Sequence, residues 1–271
     1  MHFSYEMPFP TYMNAQLTEP NVQWMMINCS TLFFFIFFLV LQVGGNEEWK
    51  TCREGSEQSP VDLNHKLMQI EKRNGSLITS YGSNDATLKN NGYEVILQWM
   101  NGTAGHLLIE GKKFMLQQCH WHSPSEHTFN GQRFPMEMHM VHCSSEGEIA
   151  IIGVVYELGP ADIFLSPKVM RNVKYLKDKQ QDEVFMGSML PPLIERTTPY
   201  YRYLGSLTTP PCSEGVVWSL VHDVQTVSLE QVKLIRAAIN NINNARKIQP
   251  INGRSIYLYE PEMDDEHRDF K

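Results

Sequence analysis

Positive charge is scarce in this sequence, and its distribution already excludes some classes of protein. Lys and Arg number 23 against 30 Asp and Glu, the net charge is -7, and no basic run occurs. A nucleic-acid partner is therefore not expected. The longest uninterrupted apolar run covers residues 32–41, which is too short to span a bilayer, since a span needs roughly 20 residues. Apolar residues at 42% and aromatic residues at 11% indicate a packed globular protein rather than a disordered one.

The first 49 residues contain neither Lys nor Arg, but they include that apolar run. The run predicts the hydrophobic region of a secretory signal peptide within a presequence of residues 1–45; the alternative is a buried core strand. Met25 or Met26 would suit as the true start, which would make residues 1–24 an artefact of the gene model. We expect entry into the secretory pathway, with delivery to the apoplast or outside of the cell, or onward to an organelle. No stable membrane span is expected after signal removal.

Cysteine is sparse, with five residues at positions 29, 52, 119, 143 and 212. Export would permit disulfides, although the sequence alone does not assign the pairing. Asn74 and Asn101 begin sequons and are predicted glycan acceptors in surface turns.

From Glu47 onward there is no repeat, no low-complexity tract and no long linker, so residues 46–271 are expected to form one domain. The pattern is mainly β, with short apolar runs separated by turn residues. Asn101-Gly102 predicts a hairpin between its two flanking strands. Residues 149–156 and 215–221 are apolar on both faces, as in central strands. The remaining predicted strands are 93–100, 106–109, 114–122 and 136–143; the predicted helices are 168–180 and 228–242, the second with a capping box at Ser228 and Gln231.

Five histidines fall between Leu116 and Cys143. His120 and His122 are two residues apart on a predicted strand, so their side chains leave the same face. If the next strand pairs with it antiparallel, His139 comes within reach of both rings. Three imidazoles with an open fourth position are typical of catalytic zinc, although cobalt or copper could bind the same set. The histidines of a lone His-x-His pair are more often surface residues or hydrogen-bonded core residues than metal ligands. A third histidine on the matching face favours a metal site, and so does Glu137, which is placed to accept a hydrogen bond from the N–H of a ligand ring. His127 and His142 lack the parity to join and are predicted to be structural.

Several motifs in order then identify a family. HWHSPSEH at 120–127 and MEMHMVH at 136–142 resemble the zinc-binding core of the α-class carbonic anhydrases, and are most similar to the plant branch. The resemblance covers about residues 49–260. It implies a large, twisted, mostly antiparallel central sheet with the metal at the base of a conical cleft. The other matching motifs are QSPVDL at 58–63, ATLKNNGY at 86–93, YLGSLTTPPCSEGVVW at 203–218 and IQPINGR at 248–254.

The resemblance implies that one zinc ion, held by His120, His122 and His139, presents hydroxide to CO2 and yields bicarbonate. The pKa near 7 of the zinc-bound water is a known property of the family and does not follow from these residues. Gln118 and Glu137 match residues that orient the ligand rings. Thr208 matches the residue that accepts a hydrogen bond from the hydroxide, and Glu126 the carboxylate that takes the Thr208 proton.

Further residues follow from the same resemblance. Thr209 matches a substrate contact, and Cys52 and Cys212 match a disulfide pair that could stabilise the fold by at most roughly 4–5 kcal/mol. Cys119 and Cys143 are expected to be buried thiols. The apolar wall that admits CO2 is matched by Val141, Ile151, Leu207, Val216 and Trp218.

Two departures from the family pattern bear on activity. Tyr93 stands where fast members carry a proton-shuttling histidine, and a phenol with a pKa near 10 is a poor relay at pH 7. Slower turnover is therefore expected; His106 is a weak substitute. Between the apolar run and Cys52, family members usually carry some two dozen residues that are absent here, so either the gene model skips an exon or the domain is shortened at its N-terminus.

Three functions remain open on the sequence alone. The first is zinc-dependent CO2 hydration. The second is a non-catalytic relative used for storage or binding, because this fold also serves members without activity. The third is a zinc esterase, expected as a side activity. The sequence leaves the oligomeric state open.

Overall fold

The computed structural model describes residues 50–64, 70–102 and 104–261, which are mainly β. The helices are α1 Lys50–Glu54, α2 Pro167–Leu176 and α3 Leu229–Ala238, with a 3-10 turn at Met100–Gly102. The strands are β1 Asp62–Leu63, β2 Ile70–Asn74, β3 Ile78–Tyr81, β4 Asn84–Asn90, β5 Val95–Trp99, β6 Gly105–Ile109, β7 Lys112–His122, β8 Thr128–Phe129, β9 Gln132–Arg133, β10 Met136–Ser144, β11 Ile149–Leu158, β12 Asp182–Met189, β13 Tyr200–Ser206, β14 Glu214–Val221, β15 Gln225–Val227 and β16 Ile256–Glu260.

One 13-stranded sheet dominates the described residues, in the order β12-β4-β5-β7-β10-β11-β14-β13-β16-β2, with β3, β6 and β15 attached beside this path. Most neighbours are antiparallel; β11 runs parallel to β14 and β15, and β16 runs parallel to β2. This confirms the predicted large, mostly antiparallel sheet. The two central strands predicted from their apolar runs, β11 and β14, are direct neighbours inside it.

The sheet separates two apolar cores. On one face, Trp121 and Met138 pack in a cluster that also contains Val169 of α2 and Ile235 of α3. The opposite face carries a smaller cluster that includes Val141 and Trp218. Val141 and Cys143 of β10 belong to the smaller cluster, and because side chains alternate along a strand, His139 lies on the same face as these two residues. That is the face on which the metal-ligating histidines were predicted.

Both predicted helices are present but shorter than expected. Ser228 caps α3, with the reciprocal Gln231 bonds of a capping box, as the sequence indicated. The helix ends at Ala238, and Asn240 and Asn241 follow at positive φ, conformations that asparagine tolerates better than most residues. In α2, the predicted exposure is only partial, because Val169 and Val173 are fully buried.

The hairpin predicted at Asn101-Gly102 is wrong. β5 pairs with β4 and β7, whereas β6 pairs with β3 and β7. The reason is the length of β7, which has eleven residues: β6 occupies its first half and β5 its second. Residues 100–102 form a 3-10 turn that carries the chain from one half to the other.

The predicted signal peptide, presequence and start site all fall on residues 1–49, outside the described residues. Among the residues that are described, no helix has both the length and the apolar character needed to cross a membrane.

Candidate metal centre

The pairing of β7 with β10 brings the three predicted ligands together. The two strands are antiparallel, with His139 opposite His120 and Glu137 opposite His122. All three histidines are buried, and each offers one ligand atom within 4.8 Å of the others. The ring centroids are 5.0 Å apart for His120 and His122, 5.1 Å for His120 and His139, and 4.6 Å for His122 and His139.

Each ring has one nitrogen engaged away from this cluster. His120 Nδ1 lies 2.9 Å from Gln118 Oε1, His122 Nδ1 lies 2.9 Å from the Asn244 carbonyl oxygen, and His139 Nε2 lies 2.8 Å from Glu137 Oε1. These contacts fix which nitrogen carries the proton. The nitrogens left free are Nε2 of His120, Nε2 of His122 and Nδ1 of His139. His122 Nε2 is buried without a hydrogen-bond partner among the described residues, which fits a metal ligand.

The pKa shifts of the rings favour neutral ligands at two of the three positions. Burial, helped by the other two rings, lowers the pKa of His120 well below its usual value. Burial also lowers the pKa of His139, although Glu137 opposes it. At His122 burial acts in the same direction, but Glu126 and Glu94 outweigh it and the pKa is raised. A bound cation would remove that tendency, because metal ligation requires the neutral imidazole.

Glu137 anchors a chain of buried hydrogen bonds behind His139. Its Oε1 also lies 2.7 Å from His127 Nδ1, and His127 Nε2 lies 2.7 Å from the Tyr203 hydroxyl. The Tyr203 hydroxyl is 2.8 Å from Ser59 Oγ, which accepts a hydrogen bond from the Ser206 N–H. His127, Glu137 and His139 are also close enough to form a metal-binding trio. Since their facing atoms are already hydrogen-bonded to one another, we interpret this trio as support for the centre and His127 as structural, as predicted.

His142 is likewise structural. It is buried on the other face, where its Nε2 lies 2.7 Å from the Tyr81 hydroxyl and its Nδ1 lies 3.3 Å from the Ala150 carbonyl oxygen.

Glu126 and the loop after β13 lie at the edge of the centre. Glu126 Oε1 accepts a hydrogen bond of 2.7 Å from the Arg246 N–H and lies 3.7 Å from His122 Nδ1. Its Oε2 is buried without a partner among the described residues. Thr208 and Thr209 are half-buried in the loop. No hydrogen bond joins Thr208 to Glu126 in the described part of the chain, so the role expected for this pair stays a proposal.

The loop that carries Thr208 is tied to the N-terminal part of the domain. Cys52 and Cys212 form the predicted disulfide, which joins residues 160 positions apart. Gln58 Nε2 adds a hydrogen bond of 3.1 Å to the Cys212 carbonyl oxygen. Cys119 is a buried free thiol, as predicted. Cys143 is also buried, but it is disulfide-bonded, so its assignment as a thiol was wrong.

The five residues predicted to form the apolar wall belong to one buried cluster. Val141 pairs with Ile151, and Ile151 pairs with Trp218 on the next strand. The Trp218 ring lies 4.8 Å from the His139 ring, which places the cluster against the metal centre. The wall residues are Val141, Ile151, Leu207, Val216 and Trp218.

Tyr93 lies beside the centre with 40% of its surface exposed, and its hydroxyl is engaged by the backbone. Its hydroxyl donates to the Asn244 carbonyl oxygen at 3.1 Å, and Asn244 Nδ2 donates to the Tyr93 carbonyl oxygen at 3.0 Å. Burial, together with Glu126 and Glu94, raises the pKa of this phenol. His106 does not replace it, because β6 pairs with the far half of β7 and sets His106 opposite Met115.

Two participants were missed by the sequence analysis. The Asn244 carbonyl oxygen lies 122 positions from His122, and a backbone acceptor leaves no mark in the sequence. The second is Glu94, whose Oε1 lies 3.8 Å from Nε2 of both His120 and His122. Burial raises the pKa of the Glu94 carboxyl, against the effect of His122.

The two predicted glycan acceptors lie away from the centre. Asn74 is exposed at the end of β2. Asn101 lies in the 3-10 turn, and its side chain falls outside the described part of the chain.

Comparison with known proteins agrees with this geometry. In Arabidopsis thaliana, alpha carbonic anhydrase 8 is 41% identical over 220 residues, covering 80% of this chain but only 56% of that protein. Alpha carbonic anhydrase 7 is 42% identical over 217 residues, covering 79% of this chain and 78% of that protein. The crystal structure of dioscorin complexed with ascorbate is 39% identical, with a TM-score of 0.74, and the match covers 80% of this chain and 91% of that one. The profile of the eukaryotic-type carbonic anhydrases matches residues 44–260, and the chain belongs to this family.

Proposed function

We propose that this protein is a zinc-dependent carbonic anhydrase that converts CO2 and water reversibly to bicarbonate and a proton. The observation that carries the proposal is the set of three free ring nitrogens. Each belongs to a buried histidine whose other nitrogen is engaged by a separate partner, and the ligand atoms lie within 4.8 Å of one another. Nitrogen donors in this number and arrangement suit one Zn²⁺ ion.

When bound, zinc supplies the Lewis acidity that makes water a nucleophile at neutral pH. The chain supplies the rest. Gln118, Glu137 and the Asn244 carbonyl hold the three rings in their ligating orientation. The buried cluster around Val141 and Trp218 offers an apolar surface that suits CO2 and disfavours ordered water.

Thr208, Thr209 and Glu126 are proposed to orient the reacting groups. Thr208 and Thr209 stand in a loop held by the Cys52–Cys212 disulfide, and Glu126 Oε2 is a buried acceptor without a partner among the described residues. A Thr208 hydroxyl that donates a hydrogen bond to Glu126 Oε2 would satisfy this oxygen. The hydroxyl oxygen would then face the substrate as an acceptor and orient the reacting groups.

Turnover is proposed to be limited by proton transfer. The phenol of Tyr93 donates to Asn244, and its pKa is raised by burial and by two carboxylates. It therefore neither releases nor accepts a proton readily near pH 7. Activity below that of relatives with a histidine at this position follows.

Several further expectations belong to the same proposal. Residues 46–271 act as one domain in the secretory pathway, and Asn74 and Asn101 carry glycans. Esterase activity would use the same centre.

Metal analysis combined with stopped-flow CO2 hydration tests the proposal. Purified protein should contain one zinc ion per chain and should hydrate CO2. The His122→Ala variant, checked for folding by circular dichroism, should lose both zinc and activity. Absence of zinc from the wild-type protein after incubation with the metal, or zinc without hydration, would refute the proposal.

A second candidate function is ligand binding without catalysis. It is favoured by one observation, the 39% identity to dioscorin, whose solved structure is a complex with ascorbate. Titration with ascorbate, followed by calorimetry, tests it on the same preparations. Binding of ascorbate by protein that holds zinc but does not hydrate CO2 would favour this second function over the first.

A further inference from the structure

On an inner strand of the large sheet, the half-buried Arg202 forms no ion pair with any described Asp or Glu. It lies in β13 between Tyr201 and Tyr203, which belong to the smaller cluster on the metal side. Because side chains alternate along a strand, Arg202 lies on the opposite face of the sheet. There its Nε and Nη2 atoms donate to Ser219 Oγ at 3.3 and 2.9 Å.

Tyrosine rings hold the Arg202 guanidinium in place. Its Cζ atom lies 5.0 Å from the centroid of the Tyr200 ring and 5.4 Å from that of the Tyr259 ring. These two rings are stacked, with centroids 4.9 Å apart and planes inclined by 3°. On β2, Arg73 lies over the Tyr257 ring at 3.8 Å. Cation–π contacts orient a guanidinium but, unlike an ion pair, do not neutralise it.

Arg202 and Arg73 line a cavity of about 360 Å³ on this face of the sheet. That volume lies within the range usual for small-molecule sites. Part of the cavity wall is apolar, because Leu204 and Val217 line it from opposite positions on neighbouring strands. Leu204 has 43% of its surface exposed. The cavity therefore combines positive charge with accessible apolar surface.

The other charged groups of the cavity do not compensate Arg202. Arg254 donates four hydrogen bonds to backbone carbonyl oxygens, and its charge interacts with Glu57 and Glu214. Glu110 lines the cavity from the turn between β6 and β7, but in the described part of the chain it forms no ion pair with Arg202. A guanidinium that is half-buried without a carboxylate is a ready partner for an anionic ligand.

We propose that this cavity binds a small organic acid, whose carboxylate lies on Arg202 and whose apolar body lies against Leu204 and Val217. A guanidinium presents paired N–H donors that match the two oxygens of a carboxylate. Arg202 uses Nε and one N–H of Nη2 for Ser219, which leaves the other N–H of Nη2 and those of Nη1 for the ligand. Arg73 adds positive charge to the same cavity. The site lies on the face opposite the metal centre, so it does not depend on the proposed function.

Benzoate and its neutral analogue benzamide are suitable probes, because they share one ring and differ in charge. Purified protein with isotope-labelled leucine and valine methyl groups is titrated with each probe and followed by NMR. The sequence supplies an internal control for location. Val217 lines the cavity, whereas its neighbour Val216 belongs to the metal-side cluster. Leu204 and Leu207 form a second pair of the same kind.

Benzoate should shift the methyl signals of Leu204 and Val217, and benzamide should bind about tenfold more weakly or worse, because it lacks the charge-assisted hydrogen bonds. Arg202→Gln should weaken benzoate binding by a similar factor. Arg202→Lys keeps the charge but loses the paired donors, so its affinity should lie between the two. Arg171→Gln is the matched control, because Arg171 is an exposed arginine of α2 outside the cavity, and it should leave benzoate binding unchanged. If Arg202→Gln does not fold by circular dichroism, Arg202→Lys and the comparison of the two probes on wild-type protein decide.

Several results would overturn the inference. Shifts confined to Val216 and Leu207 would place benzoate on the metal side instead. If both pairs shift, Arg202→Gln must remove the shifts of Leu204 and Val217 alone for the inference to stand. Equal affinity for benzoate and benzamide, unchanged benzoate binding in Arg202→Gln, or no shift with benzoate at all would each refute it. None of these results bears on zinc binding or CO2 hydration, so the proposed function is tested separately.

Discussion

Replacing Glu137 by glutamine should weaken both the fold and the metal centre. The carboxylate is completely buried and takes part in four hydrogen bonds. Oε2 accepts from the backbone N–H groups of Glu126 and His127, each at 2.7 Å, and Oε1 meets His127 Nδ1 at 2.7 Å and His139 Nε2 at 2.8 Å. Burial alone would raise the pKa of this carboxyl, but His127 and His139 outweigh burial and hold it well below its usual value.

The magnitude follows from the two orientations open to the glutamine amide. If its NH2 group takes the Oε2 position, two backbone N–H groups lose their acceptor; each buried unsatisfied donor costs about 1–3 kcal/mol. If the NH2 group takes the Oε1 position, His139 Nε2 must become an acceptor. Its proton then moves to Nδ1, the nitrogen needed for the metal. The expected loss is about 2–6 kcal/mol of unfolding free energy, with roughly 10–100-fold weaker zinc binding.

Urea unfolding of the metal-free proteins and chelator competition for zinc measure the two effects. Gln118→Ala is the control, because it removes one hydrogen bond to one ligand ring; we expect it to cost about 1 kcal/mol or less. Since the folded pKa of Glu137 is lowered, its stabilisation is present above the usual carboxyl pKa and is lost as the pH falls through the lower folded value. In Glu137→Gln, this part of the decrease in unfolding free energy at acid pH should be absent. Wild-type stability and zinc affinity in Glu137→Gln would refute the reasoning.

Three further predictions concern other parts of the molecule. Tyr93→His should raise the rate of CO2 hydration in well-buffered stopped-flow assays, whereas Tyr93→Phe should not; an unchanged or lower rate for the histidine variant contradicts the assignment. Replacing Cys52 and Cys212 by serine opens a loop spanning 160 positions and should cost up to about 5 kcal/mol in urea unfolding, so a loss below about 1 kcal/mol would count against it. Burial lowers the pKa of His142 to about 3. The contribution of the neutral His142 ring to the free energy of unfolding is therefore present above pH 6.5, the approximate pKa of the ring in the unfolded chain, and it is lost as the pH falls toward 3. The difference in unfolding free energy between wild type and His142→Gln should shrink between about pH 6.5 and pH 3.

Local periodicity was sufficient to predict that three histidines meet on one face of the sheet. His120, His122 and His139 follow from the alternation of side chains along two neighbouring strands, and the observed pairing of His139 with His120 is the one that this alternation favours. The same reasoning failed at Asn101-Gly102. There a hairpin signal of two residues competed with pairing of both flanking strands to the long strand β7, and the tertiary contacts of that strand decided the outcome.

Glu94 shows what local periodicity leaves out. Nothing in the residues around it distinguishes a surface acid beside a turn from a buried acid beside the three histidines. Its position becomes informative only when β5 is known to pair with the second half of β7, because Ile96 then faces His120 and Glu94 faces the ligand rings. The location of Glu94 within 3.8 Å of Nε2 of both His120 and His122 is therefore determined by the order of strands in the sheet, and the sequence around Glu94 alone does not reveal it.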